Sequence, residues 1–237
     1  MIILALQFHN ADKPQAMRLA RLIADLEEIP RDDVEFLFVA RYDTEQDADT
    51  MEYVRKKFPR VSAFTSTTRL TGWPQGPNAL VKDLLLSLDH RTAVDGVLLI
   101  EPDCVPLSRH WLNILFDEWG KAILDRKVML GAWRNSGAPG GHINGNAIII
   151  SALPSWLRSC GFEFAQVDQL NAWDCAISPW VREHWATTGR IKNRFQSHNA
   201  TEDDLLTPDV GDEQPVLVHG YKDDSAYNLA RKLLKLE

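Results

Sequence analysis

The sequence predicts an α/β fold: a mostly parallel central sheet flanked by helices. Three observations carry that expectation. Short, mainly apolar runs recur at residues 2–6 (IILAL), 34–40 (VEFLFVA) and 94–100 (VDGVLLI), as expected of strands buried on both faces. Segments with helical apolar spacing lie between them. Alternation of this kind brings successive strands side by side through crossover connections, which makes the sheet parallel.

Taken in order, residues 2–6 form the first strand. In residues 14–29, Met17, Leu19, Ala20, Leu22, Ile23 and Leu26 recur at helical spacing, with Pro14 suited to a first turn. A strand follows over 34–40, a helix over 47–58 and a short strand over 61–65. The turn formers GWPQGPN (residues 72–78) precede an apolar helix over 79–88. Residues 94–100 are a buried strand and 111–124 a helix. In the less regular second half, strands over 128–133 and 146–150 flank a glycine-rich turn, NSGAPGGHING. Helices are expected over 153–160 and 173–185, a polar loop-rich stretch over 190–212, a strand over 216–218 and a closing helix over 225–236.

The 237 residues suit one large domain, and 45% hydrophobic with 25% charged residues is the balance of a globular chain. A net charge of -7 argues against non-specific nucleic-acid binding, which needs basic surface. Three cysteines, an odd number with no CxxC pair, argue against a disulfide framework and for a reducing cytoplasm. MIILALQFHN lacks a basic leader, and no apolar stretch reaches membrane-spanning length. A cytoplasmic protein without integral membrane contact is therefore expected.

Ligands in open α/β sheets bind beyond the carboxyl ends of the strands. There the apolar runs release Gln7-Phe8-His9-Asn10, Arg41-Tyr42-Asp43 and Glu101-Pro102-Asp103. Residues at i and i+2 on extended chain project to one side, so Glu101 and Asp103 repel each other unless a cation joins them. Hard divalent cations such as Mg²⁺ and Mn²⁺ prefer such oxygens and bind phosphate at their free positions. A solvated strand end is the other reading of the same tripeptide.

VDGVLLIEPDCVPLSRHWL resembles the acidic DXD-type segment of GT-A glycosyltransferases, with Glu in place of the first Asp. The resemblance extends over residues 1–222 at the level of pattern. It implies a GT-A-like single domain whose Rossmann-like half, residues 1–126, binds the nucleotide. Residues 127–237 would then bind the acceptor and complete the metal site. It implies metal-dependent transfer of a sugar from a nucleotide-sugar donor, a UDP-sugar first among them. The acceptor hydroxyl would belong to a glycan, a small molecule or a modified nucleic-acid base.

Carried over residue by residue, the resemblance makes Asp103 a ligand of Mn²⁺ or Mg²⁺ and gives Glu101 a place at the donor ribose or a metal-bound water. Asp43 matches the acid that pairs with the donor base, and Phe8, His9 and Asn10 the loop flanking the nucleotide. Gly76 and Asn78, within GWPQGPN, fall where backbone packs on nucleotide, although Asn78 also reads as a helix N-cap. Lys82 can reach a phosphate or face solvent. His219 is a further metal ligand, and Lys222 neutralises the leaving diphosphate. Asn144, Gly145 and Asn146 line the sugar pocket, or form a hairpin turn. Asp174 matches the carboxylate base of inverting members, or is a helix-dipole partner. Trp73, Trp133, Trp173 and Trp180 are candidates for stacking, with Trp173 placed on the acceptor side. Arg190, Lys192 and Arg194 form a local basic cluster.

Two competing classes remain. A nucleotidyltransferase shares a related architecture, but QFHNADKP lacks the glycine-rich signature that usually follows the first strand. A non-catalytic nucleotide- or carbohydrate-binding protein on a transferase scaffold has the same residues without turnover. No GxGxxG follows the first strand, which disfavours a Rossmann dehydrogenase.

Overall fold

A computed structural model describes residues 1–91, 93–209 and 211–236. The chain runs through β1 (Ile2–Phe8), α1 (Lys13–Leu26), β2 (Val34–Arg41), α2 (Ala48–Arg55), β3 (Arg60–Ser66), α3 (Gln75–Leu88), β4 (Gly96–Ile100) and β5 (Cys104–Pro106). It continues through α4 (Trp111–Leu124), β6 (Met129–Arg134), β7 (His142–Ile149), α5 (Leu153–Ser159), α6 (Trp173–Val181), β8 (Trp185–Thr187), β9 (Ile191–Ser197), α7 (Glu202–Leu206), β10 (Leu217–Tyr221) and α8 (Ser225–Leu233).

Seven strands form the main sheet in the order β3-β2-β1-β4-β7-β6-β8. β1, β2, β3 and β4 pair in parallel, β7 runs against both β4 and β6, and β8 is again parallel to β6. The expected mostly parallel α/β sheet is therefore present. Alternation within β1 explains its unbroken apolar sequence. Ile2, Leu4, Leu6 and Phe8 join one core, with α1 and α4, while Ile3 and Ala5 join the other, with α3 and α5. Phe36 and Phe38 against Leu37 and Val39 repeat the pattern in β2. A strand buried on both faces has no polar side to show.

Local sequence sets the helix ends. Pro14 occupies the first turn of α1, where its missing N–H costs nothing. Asp47 caps α2 by accepting from the Thr50 N–H at 2.7 Å, and Thr201 caps α7 by accepting from the Asp204 N–H at 3.1 Å.

Three expectations for the second half need correction. The glycine-rich turn is shorter than expected, because β7 already begins at His142 and includes Asn144 and Gly145. The helix expected over 173–185 is α-helical to Val181 and finishes in a 3-10 turn over Arg182–His184, and the chain enters β8 at Trp185. The stretch 190–212 is not mainly loop: it holds β9 and α7. Its polar residues are consumed internally. Lys192 is buried and donates to the Thr207 carbonyl at 2.6 Å, Arg194 pairs with Asp204 and Asp209, and Arg190 with Glu118. The basic cluster is thus already neutralised.

β5, β10 and β9 make a second, three-stranded sheet. β10 runs antiparallel to β5, with His219 opposite Cys104, and parallel to β9, with His219 opposite Asn193. This small sheet carries the late histidine back to the acidic segment that follows β4. Among the described residues, no helix is long and apolar enough to cross a membrane.

Candidate active site

Strand order reverses direction at β1, whose neighbours are β2 on one side and β4 on the other. The crevice opened by such a reversal is where open α/β sheets bind ligands. A cleft of about 850 Å³ lies there. Its walls come from the ends of β1 and β4, from β7, from the start of α6 and from β9 and β10.

Glu101, Asp103 and His219 meet in this cleft. The His219 Nε2 lies 3.1 Å from Glu101 Oε2 and 3.3 Å from Asp103 Oδ1, and its Nδ1 lies 3.1 Å from Asn193 Oδ1. Ligating atoms of the three residues fall within 4.8 Å of one another. The Lys222 ammonium binds the other oxygen of Asp103. Burial alone would push the His219 imidazole down, but the two carboxylates outweigh it and push it up to about 9. Burial would likewise raise the Asp103 carboxyl, yet His219 and Lys222 hold it down to about 2. The buried Asp103 and the half-exposed Glu101 thus face an imidazole and an ammonium. The Nε2 atom lies within 3.3 Å of both carboxylates, the position a shared cation would bridge.

Gly220 makes this approach feasible. Its φ is +103°, and a Cβ there would fall 1.6 Å from the Arg194 carbonyl oxygen. Only glycine accepts both the dihedral and the contact. It lies at the register irregularity between His219 and Tyr221, which brings β10 onto β9.

β7 braces the acidic segment from the other side. Asn146 Oδ1 accepts from the Glu101 backbone N–H and the Cys104 thiol, each at 3.1 Å. Its amide nitrogen donates to Asn144 Oδ1 at 3.2 Å. Asn146 therefore positions Glu101 and Asp103, a task that sequence reading missed. Asp174, in the first turn of α6, accepts from the Gly145 N–H and from its own neighbour Cys175 N–H, both at 2.9 Å. Burial raises its carboxyl despite the nearby His142, and Glu101 adds to the rise. Trp173 is buried against Gly145: a Cβ on Gly145 would stand 3.1 Å from the indole Nε1.

Of the remaining candidates, Phe8, His9, Gly76, Asn144, Gly145, Asn146 and Trp173 border the cleft. Phe8 is otherwise a core residue, buried against Phe38. Three candidates do not border it. Asn10 is exposed outside it. Asp43 is outside as well, and is spent on Arg41, whose guanidinium holds its carboxyl below the usual range. Lys82 points instead to Asp168, which binds its ammonium.

Asn78 touches the cleft but is 1% exposed, and its amide is fully used. The nitrogen donates to the Val167 and Asn171 carbonyls at 3.2 and 2.8 Å. The oxygen accepts from the Trp173 N–H at 2.8 Å. It lies inside α3, whose N-cap is Pro74, so it is not the helix N-cap, and its side chain ties α3 to the start of α6. Of the stacking candidates, Trp73 borders the cleft and is exposed, whereas Trp133 and Trp180 lie elsewhere. The structure adds Arg134, whose guanidinium lies over the exposed Phe195 ring at 5.5 Å, both bordering the cleft.

No protein-family profile matches the chain, and no curated protein matches it. Solved structures do. The galactosyltransferase LgtC, in complex with donor and acceptor sugar analogs, superposes with a TM-score of 0.62 at 12% identity, covering 100% of this chain and 95% of that one. The bifunctional glycosyltransferase WbbM gives 0.58 at 10%, covering 94% and 46%. The mannosyltransferase PcManGT from Pyrobaculum calidifontis, in complex with GDP-Man and Mn²⁺, gives 0.50 at 12%, covering 78% and 53%. The chain spans about half the length of WbbM and of the mannosyltransferase. At these identities the likeness establishes the fold, and the fold is the GT-A arrangement of glycosyltransferases.

Proposed function

We propose that this chain transfers a sugar from a nucleoside-diphosphate sugar to an acceptor hydroxyl, with a divalent cation held by Glu101, Asp103 and His219. One observation carries the reading. Two carboxylates and an imidazole, drawn from separate sheets, converge beside Lys222 at the crevice between β1 and β4. Oxygen and imidazole donors at this spacing suit Mn²⁺ or Mg²⁺. When bound, such an ion supplies Lewis-acid neutralisation of a diphosphate.

The chain's own groups account for the rest. Asp103 is anionic through its partners, and Lys222 is half-exposed, free to leave the carboxylate for a phosphate oxygen. His9 and Gly76 border the end of the cleft nearest β1, where the nucleotide would lie. On the opposite wall, Asp174 is fixed by two backbone N–H groups. Its carboxylate would take the proton of the acceptor hydroxyl if the reaction inverts the anomeric centre. If configuration is retained, it orients the acceptor. The complexes of LgtC with donor and acceptor analogs and of the mannosyltransferase with GDP-Man and Mn²⁺ support the kind of substrates. UDP-sugars are the first donors to test and GDP-sugars the second.

The test is donor turnover, as hydrolysis or transfer, with Mn²⁺, with Mg²⁺ and after EDTA. Chelation should lower the rate on the order of a hundredfold or more, and Asp103→Asn should do the same with metal present. Full activity of Asp103→Ala without metal would refute the assignment. Metal-dependent donor binding with no turnover on any acceptor would instead identify a binding protein.

A further inference from the structure

The wall of the cleft formed by β7 and α6 carries a second set of ligating groups. His142, Asp174 and Cys175 offer a ring nitrogen, a carboxylate oxygen and a thiol sulfur within 4.8 Å of one another, and all three border the cleft. The His142 Nε2 is 3.7 Å from Asp174 Oδ2, beyond hydrogen-bonding distance. The ring is 4% exposed, and its Nδ1 is buried with no hydrogen-bond partner among the described residues. Buried ring nitrogens are normally satisfied, so the unpartnered Nδ1, in a ring that lies beside a carboxylate and a thiol, marks unmet ligating capacity.

The surroundings are built around these atoms. The Gly145 and Cys175 N–H groups fix the carboxylate of Asp174. Gly137, with φ +81°, lies against the sulfur: a Cβ there would stand 2.7 Å from Cys175 Sγ and 3.2 Å from His142 Cε1. Any larger residue would crowd the sulfur and the ring.

We infer that His142, Asp174 and Cys175 form a second cation site, which takes a borderline-soft divalent ion of the Zn²⁺ kind and not Mg²⁺. Thiolate and imidazole select such ions, while Mg²⁺ prefers oxygen. The charges also suit a buried wall. One thiolate and one carboxylate neutralise a dication, so the complex carries no net charge into a site where an unpaired charge is costly. Binding forms a sulfur–metal bond and releases the thiol proton to solvent. Asp174 and neutral His142 contribute lone pairs, and nothing is oxidised or reduced. The cleft leaves the fourth tetrahedral position to water or to a ligand atom. Resting on the function proposed above, one consequence follows: an ion here occupies the Asp174 carboxylate and so lowers transfer.

The site is tested by binding, independently of turnover. The full-length reduced protein is titrated with Co²⁺, which gives a near-ultraviolet charge-transfer band only when a thiolate is a ligand. The band is expected in the wild type and in Asp103→Asn, where the first site is disabled. It is expected to disappear in Cys175→Ser, with stoichiometry falling by one equivalent. Zn²⁺ should bleach it, and His142→Gln should weaken Zn²⁺ binding at least tenfold. Absence of the band in the wild type at saturating Co²⁺ overturns the site, as does its persistence in Cys175→Ser.

A second measurement needs no variant. Zn²⁺, and not Mg²⁺, should slow iodoacetamide labelling of Cys175 at least tenfold, with the exposed Cys160 as internal reference. Equal labelling of Cys175 with and without Zn²⁺ also overturns the proposal. Because the Asp103→Asn arm retains the band, failure of the transferase reading and failure of this site give different results.

Discussion

Replacing Asn78 by Ala separates a structural role from a ligand-binding one. The side chain links α3 to the segment entering α6 through three hydrogen bonds, two of them buried and one part-buried. They are not equivalent on removal. The Val167 carbonyl keeps a second donor, the Leu170 N–H at 3.2 Å. The Trp173 N–H, in the first turn of α6, and the Asn171 carbonyl lose the partner they had in Asn78. The buried Trp173 N–H left unpaired costs about 1–3 kcal/mol, and the part-buried Asn171 carbonyl costs less because water reaches it, so the two together cost about 3 kcal/mol. A chain of this size loses roughly 2–4 °C of Tm per kcal/mol, giving a fall of about 6–12 °C. Thermal unfolding followed by circular dichroism, with a urea titration beside it, measures this directly. A Tm within about one degree of the wild type, accompanied by weakened nucleotide binding, would refute the structural assignment and restore Asn78 as a donor contact.

Gly220→Ala forces a Cβ onto the Arg194 carbonyl and adds the roughly 1–2 kcal/mol of a left-handed residue. β10 must then shift from β9, and Mn²⁺ affinity measured by calorimetry should fall at least about tenfold, a loss of ~1.4 kcal/mol; unchanged affinity would refute the packing argument. Asn146→Ala removes the acceptor of the Glu101 N–H without touching a proposed ligand, so Mn²⁺ binding should weaken while Asp174-dependent behaviour persists, and equal affinity would show that the brace is dispensable. Glu35 governs part of the acid sensitivity. Burial would raise its carboxyl, but hydrogen bonds from Arg91 and Ser62 outweigh it and hold the carboxyl below the usual range. A depressed folded value stabilises the protein fully above the unfolded value near 4.5, and the contribution is lost as pH falls through the folded one. Glu35→Gln should therefore flatten the decline of stability below about pH 4.5 in urea titrations; parallel declines for variant and wild type would count against it.

The two halves of the chain were not equally legible. β1, β2 and β4 could be read because strands buried on both faces leave mainly apolar runs, and α4 was bounded correctly from its pattern alone. β9 was hidden because its alternation is written in Lys192 and Arg194, whose charges are neutralised by partners ten or more residues away in sequence. No local rule sees a buried lysine as a strand residue. The same limit explains the site. Glu101-Pro102-Asp103 is a local signal and was legible as a motif. That His219 lies beside it follows from β10 pairing with β5 across more than a hundred residues, and family pattern pointed there before any geometry did.

Some of the polar side chains read from sequence as ligand contacts are engaged within the fold. Asp43, Asn78 and Lys82 all follow or open elements at the correct edge of the sheet, yet Arg41, Asp168 and three backbone groups claim them first. A sequence shows which residues can meet a ligand but not which are already taken. By the same reasoning, the groups left over are informative. His142 was not singled out from sequence, and it is conspicuous in the fold because its buried Nδ1 has no hydrogen-bond partner among the described residues. Its unmet capacity, beside a thiol and a fixed carboxylate, is the kind of surplus that folding removes unless a ligand is there to use it.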